Sequence, residues 1–150
     1  MAMRDVAADL PREPGAYVLL IRLEKRLSLD IPVFQGKSLQ PGHYAYCGSA
    51  WGPGGIHARV SRHLRKDKPV RWHVDRLTAA GKVEQAGIHI AGRECDLAGK
   101  LLAHGGVPVL PGFGSSDCRT CPAHLLRMPD GNDLPEEIFD LVVLCGRKKL

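Results

Sequence analysis

The chain has 150 residues, 44% hydrophobic and 25% charged, with 21 Lys and Arg against 16 Asp and Glu for a net charge of +5; this is an ordinary globular composition, long enough to bury roughly 70% of the unfolded surface. No stretch approaches the ~18 apolar residues of a membrane span, and early acids and prolines (Asp5, Asp9, Pro11, Glu13, Pro14) interrupt any signal-peptide core. Five cysteines at irregular spacing argue against a secreted disulfide framework, so the expectation is one reduced, cytoplasmic domain over 1–150.

The first dozen residues read as a loose lead-in punctuated by Pro11 and Pro14. Residues 15–23 (GAYVLLIRL), rich in aromatic and branched side chains, read as a mostly buried strand. A charged turn at 24–26 leads to a second short strand at 31–35. Gln40-Pro41-Gly42 is a turn signal, and 43–49 (HYAYCGS) is a third strand. Three strands in quick succession predict an antiparallel meander.

The glycine-rich run 51–55 then breaks the chain before a helix over 56–65. Ile56, Val60 and Leu64 recur every four residues as its buried stripe, with Arg59 and His63 in an adjacent row. A second helix is expected over 71–80, with Trp72, Val74 and Leu77 as core candidates and Gly81 at its end. Within it His73 and Asp75 read as a structural hydrogen-bonded pair. Residues 83–91 alternate loosely as a strand. A helix over 95–104 is predicted to turn Leu97, Leu101 and Leu102 inward and to stop at Gly105-Gly106. A long loop over 108–122 and a last strand over 140–145 complete an α+β pattern.

Charge is concentrated between His57 and Arg76, where seven Lys and Arg stand against two acids, Asp67 and Asp75. Arg62, Arg65, Lys66, Lys68 and Arg71 in this run are candidate nucleic-acid contacts, since clustered cations suit phosphates. A solvated basic helix face is the competing explanation.

Cleaving a phosphodiester requires a base for the attacking water and a cation on the phosphate. It also requires a positive group for charge developing in the transition state, and help for the departing oxygen. Tyr17 within Gly-Ala-Tyr and Tyr46 within Tyr-Cys-Gly lie on the first and third expected strands, 29 positions apart. Arg59 and His63 follow in Arg-x-x-x-His spacing, and Glu94 opens the later helix, which Pro108 follows. This ordered set resembles the GIY-YIG nuclease superfamily. The runs YAYCGSAWGPGG, ARVSRHLR, WHVDRL, GRECDL and GFGSSDCRTCPAHL are similar to a branch of it found as small proteins or fused to endonuclease III-type glycosylases. The likeness covers about 14–126.

The resemblance implies a small mixed or antiparallel central sheet flanked by helices. It also implies metal-dependent endonuclease or phosphodiesterase action on DNA, in repair or nucleic-acid processing. Tyr17 would be the general base, though a phenol with an ordinary pKa of ~10 needs a neighbouring cation to ionise. Tyr46 would position water or phosphate. Arg59 would grip two phosphate oxygens, and His63 would relay a proton or hold Tyr17. Glu94 would be the single carboxylate ligand of Mg²⁺ or Mn²⁺. Taken one by one, the tyrosines suit a core and Glu94 suits a helix start. Many active members carry an asparagine after the glutamate helix and its proline. Here PVLPGFGSSDC has none, and Ser115, Ser116 or Asp117 stands in its region, Asp117 being a candidate second metal ligand. A module of the same fold that binds nucleic acid without cutting it is therefore a second reading.

Cys118-x-x-Cys121-x-x-His124 has zinc-like character, with Cys95, His73 or His104 as candidate fourth ligands. Reduced thiols packed near the site account for the same residues. A third reading follows from the zinc alternative: a zinc- or thiol-stabilised domain that binds a protein partner.

Overall fold

An almost unbroken apolar run such as 15–23 is stable as a strand only when both of its faces are covered. The computed structural model describes residues 10–29, 36–65, 69, 73–110, 124–129 and 133–145. In chain order it contains β1 (Gly15–Leu23), β2 (Leu27–Ser28), β3 (Ser38–Leu39), β4 (Gly42–Ser49), α1 (Gly55–Leu64), α2 (His73–Ala80), β5 (Lys82–Ile90) and α3 (Glu94–Ala103). These are followed by β6 (Val107–Pro108), β7 (Leu125–Met128), a 3-10 turn at Glu136–Ile138 and β8 (Leu141–Leu144). The fold is α+β. Six strands form one sheet in the order β6-β7-β4-β1-β5-β8, every neighbouring pair antiparallel.

β1 is the centre of this sheet, and its two alternating sets of side chains feed two cores. Tyr17, Leu19, Ile21 and Leu23 pack with Ile56 and Val60 of α1 and with Val74 and Leu77 of α2. Ala16, Val18 and Leu20 face the other way, onto Ala45, Cys47 and the Leu97, Ala98 and Leu101 stripe of α3. Helices therefore cover both sides. No helix among the described residues is long and apolar enough to cross a membrane.

Several expectations need correction. The strand predicted at 31–35 lies outside the described residues, but a three-strand meander is not formed. Both edges of β1 are occupied, by β4 and β5, while β2 and β3 pair with each other in a separate small sheet. Leu102 points outward, 38% exposed, because the sheet-facing stripe of α3 runs through Leu97 and Leu101, one helical turn apart. Pro108 starts no loop but ends the edge strand β6, where a missing N–H costs no ladder bond. The lead-in is docked rather than loose over its described part. The carbonyls of Pro11 and Glu13 accept from His57 and Ile56 N–H at 2.8 and 3.0 Å, which satisfies two of the amides that open α1.

α1 and α2 are clasped by an ion pair. Arg62 donates from both terminal nitrogens to the Asp75 carboxylate, at 2.9 and 3.0 Å, and to Pro69 O at 3.1 Å. Asp75 is wholly buried and the Arg62 side chain is 14% exposed, and the bond to Asp75 pushes the guanidinium pKa up. Removing one partner strands the other charge in the core, so Arg62→Ala and Asp75→Ala should each lose about 3–5 kcal/mol in urea unfolding. Arg65→Ala, on an exposed residue, should change stability by no more than about 0.5 kcal/mol. Equal losses at Arg62 and Arg65 would contradict the clasp.

Candidate functional site

The β1–β4 register sets Tyr17 opposite Gly48 and Leu19 opposite Tyr46. Side chains two apart on a strand share a face, so Tyr17 and Tyr46 both lie on the α1 side, near the end of the sheet where β1 begins. Their closeness depends on Gly48: the Tyr17 ring lies across it, and a Cβ at that position would overlap the ring carbons and the hydroxyl. His63, near the end of α1, is buried. Its Nε2 is 2.6 Å from the Tyr17 Oη. Tyr46, half-buried, closes a triangle of rings with centroid separations of 6.4 Å to Tyr17 and 6.0 Å to His63; Tyr17 and His63 are 5.4 Å apart.

Burial pushes the Tyr17 phenol well above its ordinary range, with the Tyr46 hydroxyl adding to the shift and Arg59 opposing it. Tyr46 is raised as well, first by burial and then by Cys47, with Arg59 again opposing and Glu94 adding. Both phenols therefore stay protonated at neutral pH. The direction of the Tyr17–His63 bond follows the His63 tautomer: with the proton on Nδ1, Nε2 accepts from the Tyr17 O–H. Arg59 and Glu94 come from different faces of the sheet, yet both act on Tyr46.

Around this triangle the connecting loops supply the rim. The Arg59 guanidinium lies over Gly52, 3.2 Å from where a Cβ would stand. Trp51, 50% exposed, donates its indole N–H to Gly92 O at 2.9 Å, and so ties the β4–α1 loop to the turn before α3. Glu94 opens α3, with Cys95 beside it. Cys95 Sγ is 3.7 Å from Nε2 of the buried His124, and a Glu94 carboxylate oxygen, the Cys95 sulfur and a His124 ring nitrogen all lie within 4.8 Å of one another.

A family match spans nearly all of this architecture. Residues 16–146 match the family described as Domain of unknown function DUF123. The chain belongs to the DUF123 family. No curated protein and no solved structure matches it.

Of the residues singled out in the DUF123 chain's sequence, Tyr17, Tyr46 and His63 are brought into contact. Arg59 is placed within electrostatic reach of both phenols, and Glu94 within reach of Tyr46. Arg62 is turned inward to Asp75 rather than presented to a ligand, and Arg65 is exposed at the end of α1. Lys66, Lys68, Arg71, Trp72, Ser115, Ser116, Asp117, Cys118 and Cys121 lie outside the described residues, as does the His73 side chain. His104 bonds Lys100 O and Glu137. It stands at the far end of α3, about 13 Å from Cys95 by helical rise, and so is no fourth ligand there. Trp51 was not anticipated, although a tryptophan set in a glycine-rich run is a visible signal.

Two outcomes follow for the DUF123 site. Gly48→Ala should cost about 1–3 kcal/mol by overpacking and part Tyr17 from His63, seen as a changed near-UV circular dichroism signal; an unchanged spectrum and midpoint would contradict the ring placement. Tyr17 and Tyr46 hold their protons more tightly folded than unfolded, so the folded state binds more protons at high pH. Stability should be level up to about pH 10 and fall above it by up to ~1.4 kcal/mol per pH unit per tyrosine. Phenolate absorbance rising before unfolding would show that the two rings are solvated.

Proposed function

We propose that this DUF123 chain hydrolyses phosphodiester bonds in DNA, as its resemblance to the GIY-YIG nucleases implies. The observation that carries the reading is the convergence at one end of one sheet of a Tyr17–His63 pair, Tyr46, Arg59 and Glu94. Those side chains come from β1, α1, β4 and α3, and packing alone does not require such a polar set.

Each group has a task its chemistry suits. Arg59 offers a planar guanidinium to the phosphate, and Tyr46 offers a hydroxyl from the half-buried rim. With its pKa raised, Tyr17 is no standing phenolate. It can take a proton from an attacking water only while passing its own to Nε2 of His63, and the 2.6 Å bond makes that relay short. The half-exposed indole of Trp51 is a surface on which a base can stack. Glu94 provides the hard oxygen that Mg²⁺ or Mn²⁺ would take, and a divalent cation there would neutralise charge on the phosphate. Its neighbours Cys95 and His124 are softer donors than Mg²⁺ prefers.

The depth of Tyr17, 2% exposed, favours one alternative, binding of nucleic acid without cleavage. Labelled single-stranded, duplex, flap and branched DNA incubated with Mg²⁺ or Mn²⁺ separates the two. Cleavage by wild type should fall about 100-fold or more in Tyr17→Phe and Glu94→Ala, with DNA binding retained. Equal cleavage by the variants would remove the site assignment. Salt-sensitive binding with no cleavage by any of them would establish the binding module instead.

A further inference from the structure

We propose that Glu94, Cys95 and His124 form a binding site for a zinc-class divalent ion at the start of α3. The three come from two elements that are distant in sequence, Cys95 and His124 being 29 positions apart. His124 is 4% exposed, and its backbone carbonyl accepts from Cys47 N–H at 2.8 Å just before β7 begins. That anchor fixes where the imidazole stands. Glu94 and Cys95 are set by the first turn of α3, a helix end at which anionic side chains are favourably placed.

The distances fit one ion. Zinc bonds sulfur at about 2.3 Å and imidazole nitrogen at about 2.0–2.1 Å, so two such ligands on a tetrahedral centre stand about 3.6 Å apart. The Cys95 Sγ to His124 Nε2 separation is 3.7 Å. The Glu94 carboxylate, within 4.8 Å of both, closes on the same centre by a small side-chain rotation. A thiolate, an imidazole and a carboxylate suit Zn²⁺, whereas Mg²⁺ seeks six oxygens in near-octahedral geometry. Among the described residues three ligands are present, and a tetrahedral ion would take its fourth ligand from a further side chain, water or a phosphate oxygen. Because Glu94 belongs to both sites, the inference deepens the nuclease reading by replacing Mg²⁺ with a zinc-class ion; ion binding itself does not depend on cleavage.

Cobalt(II) titration of metal-free protein tests this, because thiolate-bound Co²⁺ shows a near-ultraviolet charge-transfer band and tetrahedral Co²⁺ strong visible bands. One equivalent should bind and be displaced by Zn²⁺. Cys95→Ser should abolish the charge-transfer band, and His124→Ala and Glu94→Gln should weaken binding by about tenfold or more. Glu94→Gln, with the thiolate intact, should keep the band, and far-ultraviolet circular dichroism checks that each variant is folded. A band that persists in Cys95→Ser, or that is lost only in Cys118→Ser with Cys121→Ser, would overturn the site. So would failure of Co²⁺ and Zn²⁺ to bind. DNA cleavage with Mg²⁺ surviving in Cys95→Ser overturns the replacement of Mg²⁺ by a zinc-class ion in cleavage while leaving the nuclease reading intact. The predicted Co²⁺ behaviour without cleavage of any DNA supports the ion site and removes the nuclease reading.

Discussion

A hydroxyl buried as deeply as that of Tyr17 must be bonded, because an unsatisfied polar group in a core costs about 1–3 kcal/mol. The 2.6 Å contact with His63 meets that requirement and joins the central strand of the sheet to its first helix. The surrounding structure is arranged to permit it. Gly48 leaves the space in which the Tyr17 ring lies, the β1–β4 register brings Tyr46 onto the same face, and Arg62 with Asp75 holds α1 against α2. Once His63 is fixed, Arg59 sits one helical turn earlier on the same face, toward the end of the sheet where α3 starts with Glu94. A single buried bond thus orients most of the polar groups that meet there.

Much of the fold was legible because its main elements carry strong local patterns. The apolar run of β1, the four-residue spacing of Ile56 and Val60, and the Leu97 and Leu101 stripe each announce an element and the side it buries. What escaped depends on partners that local pattern does not contain. β7 is a four-residue strand whose only distinction is that Leu125 and Leu126 fill opposite cores. β2 and β3 are two residues each, and the expected meander failed because β4 pairs directly with one edge of β1 while the much later β5 takes the other. The docking of Pro11 and Glu13 on α1 rests on backbone carbonyls, which side-chain identity cannot reveal.

The candidate site was legible to a different degree at each residue. Tyr17, Tyr46 and His63 were singled out by their motifs, but the direct pairing of β1 with β4 that brings the tyrosines together was not the pairing expected. Arg62 and Arg65 could not be told apart by charge, since their difference lies in a buried carboxylate 13 positions away. The grouping of Cys95 with His124 joins the start of α3 to the residue before β7, 29 positions on, and has no short spacing to betray it. The Cys118-x-x-Cys121-x-x-His124 motif singled out His124, with Cys95 as one of three candidate partners, and these two side chains lie together. Trp51 gained its place only through a bond to the backbone of Gly92.

The central claim is that the Tyr17–His63 pair stands at the centre of a nucleic-acid site. Nuclear magnetic resonance of uniformly ¹⁵N-labelled protein, with and without a short non-hydrolysable DNA oligonucleotide, tests it most directly. The account predicts a neutral His63 with an unprotonated Nε2 in free protein, and shifts on adding DNA that concentrate on His63, Arg59 and Trp51. An imidazolium or an Nε2–H tautomer in free protein, or shifts confined to the opposite end of the sheet, would contradict it.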